Sequence, residues 1–146
     1  MLVAVLAFVL MEPATALIHR LIMHGPGWVL HQSHHATRAA RLEANDLYPV
    51  MFAAITILAM TIGWQGVAPH VLIPAGAGVT FYGLCYGFVH DVYIHERIRF
   101  PWRVAALEGL KDAHRVHHQR AGAPYGMLFP MRAATASFRH VGTRTR

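Results

Sequence analysis

The sequence predicts an all-α integral membrane bundle of about three to four membrane helices, with a histidine-rich di-metal site at its cytoplasmic face. Three observations predict it. The 146 residues are 55% hydrophobic and only 14% charged, an unusual balance for a small soluble domain with polar surface to maintain. Three apolar stretches approach the ~20 residues that span a bilayer at ~1.5 Å per residue. Ten of the twelve histidines fall in one repeated spacing. His19 and His24 precede His31, His34 and His35; His90 and His95 precede His114, His117 and His118. The chain therefore reads as HX4H then HX2HH, twice over, within a single domain of residues 1–146.

The first apolar stretch, Leu2 to Met23, is interrupted by Glu12, Pro13, His19 and Arg20. It is read as a retained helix rather than a signal peptide. No basic residue precedes it, and cleavage would strand the first histidine pair. Glu12 is costly inside a span unless it faces protein or water. It lies seven residues before His19, hence on one face with it. A supporting role toward the metal site and a plain paired carboxyl are both open for it. Pro13 can kink this helix, and Gly25-Pro26-Gly27 ends it.

Residues 28–46 are polar and carry the first triplet, with Arg38, Arg41, Glu43, Asn45 and Asp46. Leu47 to Trp64 is the second span, with Tyr48 and Trp64 at its ends, where amphipathic aromatics favour the interface. Val71 to Val89 is the third. Its glycines at 76, 78, 83 and 87 suit close helix packing in lipid, and it lacks the strand and GxGxxG context of a nucleotide loop. From His90 the chain turns polar and basic. Pro101 to His118 reads as an interfacial amphipathic helix with Trp102, Val104, Leu107 and Leu110 toward lipid. Residues 121–130 form a loop, and the tail from about 132 is basic.

All 13 Lys and Arg fall in 20–46 or 97–146. By the positive-inside rule both segments are cytoplasmic, which puts the N-terminus outside, the C-terminus inside, and every patterned histidine at one membrane face. The net charge of +6 is thereby explained by topology, and a nucleic-acid-binding module, which would carry a smaller apolar share, is disfavoured. Cys85 is the single cysteine, so there is no internal disulfide and no thiolate metal site.

On a helix, positions i, i+3 and i+4 share a face, so each triplet can aim three imidazoles at one point. The HX4H pairs are less simple. Five residues rotate an ideal helix by about 500°, or about 140° net, so these rings converge only where the helix ends or distorts. Ten imidazoles exceed one ion's needs and match two ions with four or five nitrogens each. Neutral imidazole suits Zn, Cu, Fe and Ni; HExxH is absent, so a zinc protease is not indicated. Asp46, Asp91 and Glu96 lie near the histidines and could orient ring N–H groups, or remain solvated, the more natural reading for Glu96. Asn45 is a candidate ligand, water holder or helix cap. His70 and His140 stand outside the pattern, and no catalytic side chain beyond the metal ligands is singled out.

A membrane-embedded di-metal site of this kind suggests iron and O2 chemistry on a lipid substrate. Two ferrous ions can give two electrons to O2. Two more must come from outside, because the chain shows no flavin, haem or Fe–S motif. Metal transport would need ionisable residues lining several spans, yet Leu47 to Val89 holds no Asp, Glu, Lys or Arg.

The strings HRLIMHGPGW-HQSHH, NDLY, YG-HDVYIHER and AHRVHH with PYG beyond resemble the β-carotene 3-hydroxylases of bacteria and plants, within the membrane fatty-acid hydroxylase and sterol desaturase superfamily. The resemblance covers roughly residues 11 to 130. It implies metal ligands at His19, His24, His31, His34, His35, His90, His95, His114, His117 and His118 holding two non-haem iron ions. It implies hydroxylation at C3 of the β-ionone rings of β-carotene, through β-cryptoxanthin to zeaxanthin, with O2 and a ferredoxin-type donor, in a bacterial-type cytoplasmic membrane. It also implies about four membrane helices where three are legible. A carotenoid 4-ketolase or a fatty-acid or sterol hydroxylase would use the same core with a different pocket; the MHGP, NDLY and HDVYIHER strings favour the carotene enzyme.

Overall fold

The computed structural model describes residues 1–36 and 42–129. Arg38, Arg41, the basic tail and His140 lie outside the described residues. The described residues are helical, without strands. Helix α1 (Leu2–Ile18) runs on as a π-helical turn over His19–Met23. After the Gly25-Pro26-Gly27 turn comes the short α2 (Trp28–His35). A 3₁₀ turn at Ala44–Asp46 leads into α3 (Leu47–Trp64). Helix α4 (Leu72–Gly87) continues as a π-helical stretch, Phe88–Ile94, and α5 covers Ala105–Arg120.

Three helical runs are long and apolar enough to cross a membrane: Leu2–Met23, Ala44–Trp64 and Leu72–Ile94. The third outlasts the expected end at Val89. The rewound backbone keeps its hydrogen bonds through His90 and Asp91, whose polar side chains turn toward protein. Helix α4 packs against both α1 and α3. The C-terminal ends of α1 and α4 and the start of α3 therefore share one end of the bundle, where α2 and α5 cover them. Among the described residues, the helices expose many large apolar side chains while polar groups are among those buried. Leu2, Val9, Leu10, Ile57 and Leu58 are exposed, whereas Glu12, His19, His31, His34, His90, His114 and His117 are buried. That inversion suits a lipid solvent, which rewards apolar surface and leaves polar groups to one another.

Two expectations are corrected. Tyr48 is not an interfacial anchor: it is buried, and its hydroxyl donates to the Gly27 carbonyl at 2.8 Å. A side chain on Gly27 would collide with that hydroxyl. The last helix begins at Ala105, not Pro101. Pro101 could open a helix, but the Val104 backbone is extended and its N–H donates to Tyr93 Oη at 2.9 Å instead of joining a helix. Trp102 and Val104 stay exposed, while Leu107 and Leu110 are half-buried.

The four glycines of α4 divide. A Cβ on Gly78 would run into the Ala4 carbonyl of α1, and one on Gly76 into Met60 of α3; Gly83 and Gly87 face open space. Gly78→Ala is expected to force α1 and α4 apart and to destabilise by about 1–3 kcal/mol, as overpacking does. Gly83→Ala, which relieves helix-interior glycine, should be neutral or stabilising by up to ~1 kcal/mol. Thermal unfolding in detergent checks both, and equal melting of the two variants would refute the close-packing reading.

Candidate metal centre

Both HX4H pairs converge because the helix changes pitch between their members. The His24 N–H donates to the His19 carbonyl and the His95 N–H to the His90 carbonyl, each at 2.9 Å. These are i→i−5 bonds, the π-helical pattern that often marks functional sites. A turn that closes over five residues brings the second ring back above the first. The ring centroids lie 5.0 Å apart for His19 and His24 and 4.7 Å apart for His90 and His95.

The ten rings form two groups, and each triplet is divided between them. Ligand nitrogens of His19, His24, His31, His35 and His117 all lie within 4.8 Å of one another, as do those of His34, His90, His95 and His114. His118 sits against the second group, its Nε2 2.8 Å from His114 Nε2 and 3.1 Å from His34 Nε2. The expectation that each triplet serves one point is therefore corrected. Residues i and i+4 differ by about 40° on a helix, whereas i+3 lies about 100° from i+4. His31 and His35 aim at one group and His34 at the other; His114 and His118 aim at the second and His117 at the first. Each half of the chain builds four-fifths of one cluster and lends its middle histidine to the other.

Outer partners fix the ring tautomers. His19 Nδ1 donates to the Tyr125 carbonyl (3.1 Å), His31 Nδ1 to Asn45 Oδ1 (2.7 Å) and His117 Nδ1 to the Gly122 carbonyl (2.6 Å). In the second cluster His34 Nδ1 donates to Glu43 Oε2 (3.3 Å) and His90 Nδ1 to Asp91 Oδ1 (3.0 Å). Each ring therefore points a bare Nε2 lone pair inward. His19 Nε2 faces His31 Nε2 at 3.0 Å, and His90 Nε2 faces His34 Nε2 at 3.0 Å. Two lone pairs at that distance repel unless a cation lies between them. Nitrogen ligands about 2.1 Å from one ion, at bond angles near 90–109°, sit ~3.0–3.4 Å apart. The donor set and spacing fit a metal ion in each cluster.

Burial favours the neutral form of His24, His31, His34, His35, His114, His117 and His118. Desolvation pushes His31 and His117 down to about 4 and His118 to about 2, and lowers His24, His34, His35 and His114 as well. Neighbouring imidazoles lower His31, His34, His114, His117 and His118 further. A neutral imidazole is the form that ligates, so no proton has to be displaced at neutral pH.

The clusters differ in what stands behind them. Neutral carbonyl and amide oxygens back the first. Carboxylates back the second, and Arg97 gathers them: its guanidinium lies 3.0 Å from Glu43, 2.6 Å from Asp46 and 3.5 Å from Asp91. Of the candidate supporting residues, Asn45 and Asp91 reach rings directly. Asp46 instead accepts from Arg97 and, at 2.9 Å, from the Glu43 N–H. Glu12 accepts from Tyr82 and from the backbone of 127–129. Glu96 is paired with Lys111 at the surface, and His70 is exposed. Sequence reasoning missed the roles of Glu43, Arg97 and the 122 and 125 carbonyls. Arg97 closes the HDVYIHER string and Tyr125 is the centre of PYG, so the strings held them without revealing their partners.

A hollow of about 470 Å³ opens beside the first cluster, lined by Arg20, Leu21, His24, Trp28, Ala121 and Tyr125. The Trp28 ring lies 5.4 Å from that of His24 and 5.2 Å from that of His35. A hollow of about 540 Å³, between Tyr93, Trp102 and Arg115, holds no clustered histidine.

Residues 4–133 match the fatty acid hydroxylase family. The chain is 40% identical over 139 residues to the "Beta-carotene hydroxylase" of Pseudescherichia vulneris, spanning 91% of this chain and 78% of that one. It is 45% identical over 125 residues to the "Beta-carotene hydroxylase" of Pantoea ananas, spanning 82% and 70%. Identity to the "Beta-carotene 3-hydroxylase, chloroplastic" of Haematococcus lacustris is 38% over 81% of this chain and 39% of the longer relative. No solved structure matches.

Proposed function

The chain belongs to the fatty acid hydroxylase family, and on that premise we propose that it is a carotenoid hydroxylase acting at C3 of the β-ionone rings of β-carotene, forming β-cryptoxanthin and then zeaxanthin. One observation carries the chemistry: two clusters of bare imidazole lone pairs, buried at one end of three apolar helices. The relatives named above support the substrate, and the Haematococcus lacustris name supports the position. His19, His24, His31, His35 and His117 would hold one iron ion, and His34, His90, His95, His114 and His118 the other. Two iron ions there would supply the electron transfer to O2 that replaces a C–H by C–OH.

The overall change consumes one O2, two protons and two electrons per hydroxyl, and releases one water. The substrate C–H furnishes the other two electrons that O2 needs. A ferredoxin-type protein is the proposed donor, since the sequence carries no redox cofactor motif of its own. The positive-inside rule, applied to the basic segments, supports the cytoplasmic side of a bacterial-type membrane for the histidine end. Within the site, the Nδ1 bonds of His19, His31, His34, His90 and His117 hold those rings in their ligating tautomer. Leu21, Trp28 and Tyr125 offer an apolar and aromatic wall beside the first cluster, suited to seating a β-ionone ring and excluding water from it.

The test is expression in cells that accumulate β-carotene, with pigments resolved by chromatography. β-Cryptoxanthin and zeaxanthin are expected. Echinenone or canthaxanthin would move the chemistry to C4. Unchanged β-carotene, with iron-loaded protein in the membrane, would overturn the carotenoid reading in favour of a fatty-acid or sterol substrate.

A further inference from the structure

Glu12 is the least expected buried group. It sits mid-helix in an apolar span, 8% exposed, where a carboxylate persists only with partners. Its partners are numerous. Oε1 accepts from the N–H groups of Met127 at 2.8 Å and Phe129 at 3.0 Å; Oε2 accepts from Tyr82 Oη at 2.7 Å; Leu128 N–H lies 3.1 Å from both oxygens. Gly126 lies so close that a Cβ there would sit 2.7 Å from Oε1. A carboxylate gathering three successive backbone N–H groups, 115 to 117 residues away in sequence, forms a fastening point for the 121–129 segment.

That segment also supplies the acceptors for two rings of one cluster. Gly122 holds His117 and Tyr125 holds His19. His19 lies on the same face of the first helical run as Glu12, two turns on. The segment is thus tied to that run at both places. The second cluster takes acceptors from Glu43 and Asp91 instead.

We infer that Glu12 is a positioning residue for the first cluster alone: it fastens the 121–129 segment into the bundle so that two backbone carbonyls hold His19 and His117 in ligating orientation. This rests on the metal reading of the histidines. Without the carboxylate, three successive backbone N–H groups, that of Met127 buried, lose their acceptor, and an unsatisfied buried group drives the segment outward. His19 and His117 then lose the bonds that fix tautomer and rotation. Loss of such an outer partner weakens metal binding by about 10–100-fold.

The experiment loads purified full-length protein, in lipid nanodiscs, with Fe(II) under anaerobic conditions, and titrates bound iron per chain against a chelator. The unaltered protein should hold two ions. Glu12→Ala should release one ion at a chelator concentration about 10–100-fold lower, while the other stays at its original affinity. Glu12→Gln keeps the shape and one acceptor oxygen; it should shift the same ion by a smaller factor. Retention of both ions at unaltered affinity by Glu12→Gln and Glu12→Ala would overturn the inference. So would equal weakening of both ions, which would make Glu12 a prop of the whole bundle. Should the unaltered protein bind no iron, the metal reading itself fails, and that result is separate from any behaviour of the variants.

Discussion

With the two iron ions proposed above, replacing His34 and His35 together by alanine is expected to lower bound iron from two ions to none and to abolish turnover. Replacing His35 and His117 together should leave one ion. The two outcomes follow from how the triplets divide. His34 and His35 are adjacent on one short helix, but about 100° of rotation separates them. His34 meets His90 and His118, while His35 meets His31. His35 and His117 are 82 positions apart yet belong to one cluster. Were each triplet devoted to its own ion, the results would be reversed: the adjacent pair would leave one ion and the distant pair none. Single His34→Ala or His117→Ala should leave one ion and still reduce hydroxylation by more than the ~10–100-fold that loss of an outer partner brings, because the proposed reaction needs both ions. His70→Ala, at an exposed turn remote from the clusters in sequence, is the control and should retain activity. Iron analysis and pigment chromatography on the same preparations decide the matter.

Much of this was legible without coordinates. An apolar run of some twenty residues has few alternatives to a membrane span, and Leu47–Trp64 begins and ends where hydropathy and aromatic content place it. The histidine spacing marked ten rings for one end of the bundle. Periodicity alone, however, treats i, i+3 and i+4 as one face. That approximation holds for a single broad surface and fails when two targets lie side by side. The HX4H spacing did announce a distortion, since an ideal helix splays those rings; that the distortion is a π turn in both halves is a property of the folded backbone. The supporting bonds were least legible. His19 to Tyr125 spans 106 positions and Glu12 to Met127 spans 115, and half of these partners are backbone carbonyls or amides, which every residue possesses. Asp46 is the instructive case. Its place among histidines suggested a ring partner, but a nearby guanidinium binds it more strongly than a neutral imidazole would.

Arg97→Ala is expected to cause the largest loss of stability of any substitution outside the histidines. The guanidinium is shared by Glu43, Asp46 and Asp91, and its side chain is only 14% accessible. Removing one partner of a buried ion pair costs about 3–5 kcal/mol, because the remaining charge keeps its desolvation penalty without its compensation. Here three carboxylates would be left beside one another. Asp91, at 34% accessible, retains some hydration, which places the expectation toward the lower figure. The damage should not stop at stability. Glu43 and Asp91 orient His34 and His90, so their repulsion would turn both rings and weaken the second ion while the first holds. Arg97→Lys restores one charge but not the planar fork that reaches three carboxylates at once, and should fall between. The comparison that isolates burial is Lys111→Ala, which breaks a pair whose side chains are 38% and 68% accessible and should change stability by no more than about 1 kcal/mol. Thermal unfolding with iron titration measures both consequences. An Arg97→Ala protein that melts with the parent and holds two ions would show that hydration, not the guanidinium, keeps these carboxylates in place.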